Sequence, residues 1–269
     1  MLVNLNGVRY SYEITGEGET LLLFHGFTGS KQTWDPFINE WSKSFQVLSI
    51  DLLGHGETDS PNDPNRYTIE NACKDIQTLL DQLNITQIYL LGYSMGGRLA
   101  LSFTCLYPRY VKKLILESSS PGLKTLLERE ERVKSDEKLV QMISKQGLKE
   151  FINYWERIPL FQSQQVLSET RKKVIRKERE NQNPIGLMNS LKGMGTGAQQ
   201  SWWEQLHNIN IPVLLLVGEF DKKFCTIAEE MKESIPQSRL IKINGAGHAI
   251  HVEQAEKFGK IVEEFLLDT

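Results

Sequence analysis

Ser94, Asp221 and His248 are the residues of this chain whose types and order could together perform nucleophilic or acid–base chemistry. Ser94 is the centre of Gly92-Tyr93-Ser94-Met95-Gly96, which follows the apolar run Ile88-Tyr89-Leu90-Leu91 directly. Glycines on both sides of a serine suit a strand-to-helix turn so sharp that flanking β-carbons have no room. A hydroxyl is a poor nucleophile or base until an imidazole takes or holds its proton and a carboxylate fixes the imidazole tautomer. Asp221 ends Gly218-Glu219-Phe220-Asp221 and His248 ends Gly245-Ala246-Gly247-His248, each just after an apolar, strand-like run. Three polar residues on loops at the same ends of strands can converge on one site.

The elements that would position them read as alternating strands and helices. Val8–Ile14 alternates and is followed by Gly16-Glu17-Gly18, an edge strand and a turn. Leu21–Phe24 and Val47–Asp51 are continuous apolar runs suited to buried parallel strands, ending at His25-Gly26 and before Gly54-His55-Gly56. A helix over Thr68–Leu83 puts Ile69, Ala72, Ile76, Leu79, Leu80 and Leu83 on one face. The Ser94 strand follows, then a helix over Arg98–Leu106 and a strand over Lys113–Glu117. From Pro121 to Trp203 the patterns are helical only and rich in charge. Strands resume at Val213–Gly218 and Leu240–Ile243, and an amphipathic helix over Gln254–Leu267 closes the chain.

This alternation predicts an α/β class: a mostly parallel, twisted sheet with helices on both faces. Residues 1–120 and 204–269 would form the core, and 121–203 an inserted helical cap or lid over the carboxyl ends of the strands. With the serine turn and the order Ser…Asp…His, that is the pattern of the α/β-hydrolase fold. Asp51 or Asp59 as the acid would break this order. His251 is a possible competing base but lacks the glycine-rich approach of His248. In this fold the backbone N–H groups of Met95 and Phe27 would form an oxyanion hole. His25 and His55 read as supports for their loops, and His207 has no catalytic context. Gly193-Met194-Gly195-Thr196-Gly197 lacks a preceding strand and a following Gly-Lys-Ser/Thr, so it reads as a hinge. Trp202-Trp203 would pack where the lid rejoins the core, with one of the pair free to line a pocket.

Composition narrows the function classes. The 269 residues are 40% hydrophobic and 24% charged with a net charge of −3, which suits a soluble globular protein. Neither a membrane-length apolar run nor the pattern of a signal peptide is visible, so a cytoplasmic location is expected and no membrane partner. Cys73, Cys105 and Cys225 read as buried free thiols, and the five histidines lack metal-site spacing, so no metal is expected. Sequence pI is about 6.0 and no nucleic-acid module appears. Residues 121–203 carry 15 Lys/Arg against 10 Asp/Glu, a balance of +5, while the remainder carries 16 against 24, a balance of −8. A basic lid over an acidic body favours an anionic small molecule beneath the lid.

Several segments go beyond the general fold: Gly92–Arg98 with its Gly97-Arg98 ending, Ser119–Leu123, and the acid/arginine run through Arg132. Trp155–Phe161, Arg179-Glu180-Asn181-Gln182-Asn183 and Gly218–Phe224 complete the set. Over almost the whole chain they resemble the 2-succinyl-6-hydroxy-2,4-cyclohexadiene-1-carboxylate synthases of menaquinone biosynthesis. The resemblance implies a cofactor-free lyase that eliminates pyruvate from a small-molecule tricarboxylate; separately, a monomer or weak homo-oligomer is expected. The resemblance also implies that Arg98, Arg132 and Arg179 clamp carboxylates, Arg176 being an alternative to Arg179, and that Tyr93, Trp155 and Phe161 line the pocket. Ser94 would then be a base, directly or through a water. The triad equally suits a hydrolase of a carboxylate-bearing ester or C–C bond, and a non-catalytic ligand receptor is the remaining alternative.

Overall fold

In the computed structural model, which describes residues 1–268, the apolar runs become strands of one eight-stranded sheet. These are β1 (Leu2–Leu5), β2 (Val8–Thr15), β3 (Thr20–Phe24), β4 (Gln46–Ile50), β5 (Ile88–Tyr93), β6 (Val111–Glu117), β7 (Val213–Gly218) and β8 (Ser238–Ile243). Across the sheet they lie in the order β1-β2-β4-β3-β5-β6-β7-β8. β2 runs antiparallel to β1 and to β4; the other neighbours pair parallel. β2 is therefore internal, and the edge position expected for Val8–Ile14 belongs to the short β1. The alternation in β2 reports one partly solvated face, where Arg9 and Glu13 are exposed although Ser11 between them is buried, with Tyr10 and Tyr12 buried on the other. Side-chain alternation carries no information on which backbone edge is paired.

The helices are α1 (Asp35–Trp41), α2 (Ile69–Gln82), α3 (Met95–Leu106), α4 (Leu126–Gln146), α5 (Leu148–Trp155), α6 (Glu169–Glu180) and α7 (Pro184–Met194). They continue with α8 (Lys222–Ser234), α9 (Ile250–Glu253) and α10 (Ala255–Leu267). Successive strand side chains point to opposite faces, so the buried runs split the interior into two layers. Leu22, Leu48, Leu90, Leu114 and Leu215 meet Ile76 of α2, Phe103 of α3 and Met231 of α8. Leu21, Leu23, Leu91, Ile115 and Leu216 meet Phe37 and Trp41 of α1 and Phe258 and Val262 of α10. Thr68 caps α2, its hydroxyl accepting from the Asn71 N–H at 3.3 Å. α3 starts at Met95, three residues before the expected Arg98, because Ser94 itself takes the N-cap position. Gly96-Gly97, poor helix formers, disguise that start.

Between β6 and β7 the chain forms α4 to α7 and no strand, as the charged helical patterns predicted. α4, α5 and α7 share a small core of Ile143, Phe151, Ile152, Leu187 and Leu191. Together with α6 they dock tightly on the loops after β3 and β4. A β-carbon on Gly186 would lie 2.0 Å from the Gly54 carbonyl oxygen, so only glycine permits this approach. The Glu178 carboxylate accepts from the Ser30 N–H at 2.8 Å and from the Thr33 hydroxyl at 3.0 Å. At the return to the core, Trp202 donates its backbone N–H to the Pro121 carbonyl at 2.8 Å and its indole N–H to Ser102 Oγ at 2.8 Å. Cys73 and Cys225 are buried, whereas Cys105 is only half-buried. No described helix is long and apolar enough to cross a membrane.

Candidate active site

The turn at Ser94 is built by glycines for identifiable reasons. A β-carbon on Gly92 would stand 2.4 Å from the Gly96 carbonyl oxygen, and one on Gly96 would stand 2.4 Å from the carbonyl oxygens of Phe24 and His25. β5 thus runs into α3 with β3 pressed against the turn. Ser94 adopts φ +50° and ψ −106°, a conformation that costs a non-glycine residue about 1–3 kcal/mol. Its backbone N–H donates to the Glu117 carbonyl at 2.9 Å, and its carbonyl accepts from the Arg98 N–H at 3.0 Å, so neighbouring β6 and α3 hold the strain.

The Ser94 hydroxyl lies 2.9 Å from His248 Nε2, and His248 Nδ1 lies 2.6 Å from Asp221 Oδ2. A carboxylate only accepts, so Nδ1 carries the proton and Nε2 is left to accept from Ser94. Asp221 is also the N-cap of α8, its other oxygen accepting from the Phe224 N–H at 3.4 Å. Phe224, Tyr93 and Phe161 pack around the imidazole at 4.7, 5.5 and 6.1 Å between ring centres. His248 is 1% exposed, which keeps water from competing for these hydrogen bonds. This arrangement can draw a proton off Ser94 or hold one taken through it.

The other candidates are occupied elsewhere. Asp51 accepts from the Lys31 N–H at 2.6 Å and the Glu57 N–H at 3.0 Å, and Asp59 pairs with Arg9 at 3.1 Å. His251 Nδ1 is 2.9 Å from both Glu117 oxygens, behind Tyr93. His25 supports its loop: Nδ1–H donates to the Gly26 carbonyl at 2.8 Å and Nε2 accepts from the Leu52 N–H at 3.0 Å. Burial pushes its pKa down, and burial followed by the neighbouring His25 lowers His55 to about 3. His55 Nδ1–H donates to the Leu53 carbonyl at 3.1 Å. His207 is exposed. Gly193–Gly197 closes α7 and begins the following turn, with no phosphate-loop geometry.

Ser94 opens into a cavity of about 570 Å³, which Phe27, Tyr93, Met95, Trp155, Phe161 and His248 help to line. That volume is typical of small-molecule sites. Met95 is the first residue of α3, so its N–H is among the helix-end donors without an intrahelical acceptor. Arg98 and Arg132 enter the same cavity from core and lid. Arg98 is 8% exposed; burial first, and Arg132 second, pull its guanidinium down to about 9, leaving it charged at neutral pH. Arg132 Nε donates to Asp136 at 2.8 Å. Burial raises the Asp136 carboxyl, with Arg132 and, more weakly, Arg98 opposing.

Arg179 departs from expectation. It lies behind Phe161 and Tyr93, in a separate cavity of about 350 Å³, paired with Glu156 at 3.3 Å. Its guanidinium sits 5.0 Å over the Phe161 ring. Arg176 is farther away, bonded to Glu156, Glu180 and Asn153. Sequence reading placed α6 correctly as helical but did not show that Phe161, from a different segment, would stand between its arginines and Ser94. Trp203, rather than Trp202, lines the main cavity, as do Lys124 and Lys223. Gln199, bonded to Arg98 at 2.6 Å, carried no sequence signal.

The sheet order, the turn at Ser94 and the serine–histidine–aspartate chain define an enzyme of the α/β-hydrolase superfamily, and the α/β hydrolase fold family matches residues 19–255. A Bacillus subtilis protein that carries the 2-succinyl-6-hydroxy-2,4-cyclohexadiene-1-carboxylate synthase name provisionally is 49% identical over 97% of this chain and 96% of its own. The structure of MenH from S. aureus superposes with a TM-score of 0.90 at 35% identity, covering 96% of this chain and 97% of that one. A thermophilic esterase from Thermogutta terrifontis, solved with malate bound, gives 0.87 at 27% identity over 99% and 98% of the two chains. The chain belongs to the 2-succinyl-6-hydroxy-2,4-cyclohexadiene-1-carboxylate synthase family.

Proposed function

We propose that the protein is a carbon–oxygen lyase of menaquinone biosynthesis. It eliminates pyruvate from 2-succinyl-5-enolpyruvyl-6-hydroxy-3-cyclohexene-1-carboxylate, leaving 2-succinyl-6-hydroxy-2,4-cyclohexadiene-1-carboxylate. The observation that carries this reading is Arg98: a buried guanidinium with no carboxylate partner, in the cavity that holds Ser94 and His248. Asp136, already paired with Arg132, offsets this charge only from beyond contact distance, and a buried charge so weakly compensated is costly and favours an anionic occupant. The substrate has three carboxylates, and the names of the relatives point to the same chemistry.

In this reading Ser94, its own proton held by His248, removes the proton α to the succinyl ketone. The released pair forms an enolate whose oxygen accepts from the N–H groups of Phe27 and Met95. Collapse of the enolate shifts the ring alkene and breaks the C–O bond to the enolpyruvyl group. His248 returns the proton, and the freed enolpyruvate tautomerises to pyruvate. The elimination is redox-neutral and needs one base and one acid. Arg98 and Arg132 take the carboxylates, as guanidinium forks do bidentately. Tyr93, Trp155 and Phe161 pack on the ring, and Arg179 braces Phe161 from behind.

Purified protein incubated with the enolpyruvyl substrate should release pyruvate. Background pyruvate release combined with rapid turnover of a simple aryl ester would reject the lyase reading. That second outcome is the hydrolase reading, which the malate-bound esterase relative favours because the same fold there accompanies a dicarboxylate.

A further inference from the structure

Arg98 and Arg132 enter one cavity, yet their charges are treated differently. Arg132 is held by a carboxylate, Asp136, on its own helix at 2.8 Å. Arg98 is held by an amide: its Nη1–H donates to Gln199 Oε1 at 2.6 Å. A guanidinium only donates, so the amide oxygen must face it and Nε2 must point away. Gln199 is 2% exposed, and its Nε2 has no hydrogen-bond partner. A β-carbon on Gly122, a residue of the cavity wall, would stand 3.2 Å from that nitrogen. Gln199 therefore belongs to the junction where 121–122 and 199–202 run together, the two ends of the helical insertion.

We propose that Gln199 is a positioning and specificity residue for the anionic substrate: it fixes the Arg98 fork with a neutral acceptor, so that no carboxylate of the protein is in direct contact with the guanidinium and its place is left to a substrate carboxylate. An acid at this place would make the same hydrogen bond and cancel the charge. Asp136 does this for Arg132, so the two clamps differ in strength, Arg98 being the stronger. Because Gln199 lies at the root of the lid, the fork is aimed only when the lid junction is assembled. This inference rests on the proposed lyase reading only for the identity of the substrate; the physical claim needs only a carboxylate ligand.

The test compares Gln199→Glu with Gln199→Met. A purely structural role for Gln199 makes Glu the milder change, since it keeps the acceptor and shape and gains an ion pair. The proposal reverses that order. Gln199→Glu should raise KM for the enolpyruvyl substrate on the order of a hundredfold, with kcat within about threefold and Tm equal to or above wild type. Gln199→Met should raise KM roughly tenfold, from one lost hydrogen bond to a charged group. A Glu variant with wild-type KM overturns the proposal even if the Met variant fails to fold. Protection against thermal unfolding by added succinate, measured on the same proteins, reads the claim independently of turnover. If wild type releases no pyruvate the lyase reading falls, and the proposal then stands or falls on whether Gln199→Glu abolishes the succinate shift.

Discussion

Acidification from pH 6.5 to pH 5 should weaken this fold through His55, and Asn at that position should remove much of the effect. The pKa of His55 falls from 6.5 to about 3, first through burial and second through repulsion from His25. A histidine with a depressed folded pKa contributes its full stability above the unfolded value. That contribution is lost as pH falls below 6.5 and levels off near the folded value. At pH 5 the ring lies about 1.5 pH units below its unfolded pKa, a loss of about 2 kcal/mol at 1.36 kcal/mol per unit. For a chain of this length that is a fall in Tm of about 4–8 °C. His25 adds in the same direction: its Nε2 accepts from the Leu52 N–H, and protonation would set two donors face to face. The His55 ring lies 5.2 Å from His25 and 5.8 Å from Phe27, so the same protonation disturbs the loop that carries the proposed Phe27 oxyanion donor. His55→Asn keeps a donor for the Leu53 carbonyl and does not titrate. Chemical denaturation of both proteins from pH 7.5 to 4.5 checks this. Parallel stability curves for wild type and variant would refute it.

Ser94→Ala should leave Tm unchanged and cut pyruvate release by roughly 10²–10⁴-fold, the usual contribution of a positioned acid–base group. Arg98→Ala should raise KM for the tricarboxylate by roughly 10–100-fold, since a charged hydrogen bond contributes about 1.5–3 kcal/mol. Unchanged steady-state kinetics would remove Arg98 from the clamp. Gly96→Ala places a β-carbon 2.4 Å from two carbonyl oxygens of β3 and its loop, and should destabilise the protein by about 3 kcal/mol in urea unfolding. A variant as stable as wild type would show that the turn has slack.

Much of the site was legible because its signals are local. Glycine spacing around Ser94 follows from backbone clashes within a few residues and the adjoining strand. Asp221 and His248 were findable because each follows a buried apolar run, and a parallel sheet aligns the ends of such runs. Where expectation and structure part, the missing information lies between segments. β2 looked like an edge because alternation shows a solvated face, not the neighbour across the backbone. Arg179 looked like part of the clamp through the family resemblance of its segment, yet Phe161 and Tyr93 stand between it and Ser94.

By itself, then, the chain's order of residues determined the class of fold, the serine turn and the three residues of the hydrogen-bonded chain. These depend on periodicity, on glycine sterics and on strand ends, all written in short windows. Tertiary structure alone decided which cations share the cavity and how each is held: Arg98 by neutral Gln199, Arg132 by Asp136, Arg179 by Glu156 beyond an aromatic wall. The Gln199 and Glu156 contacts join residues distant in the chain. Even the Arg132–Asp136 pair reaches the cavity only because the lid docks over the sheet. Charge recognition depends on distance and burial, and packing sets both.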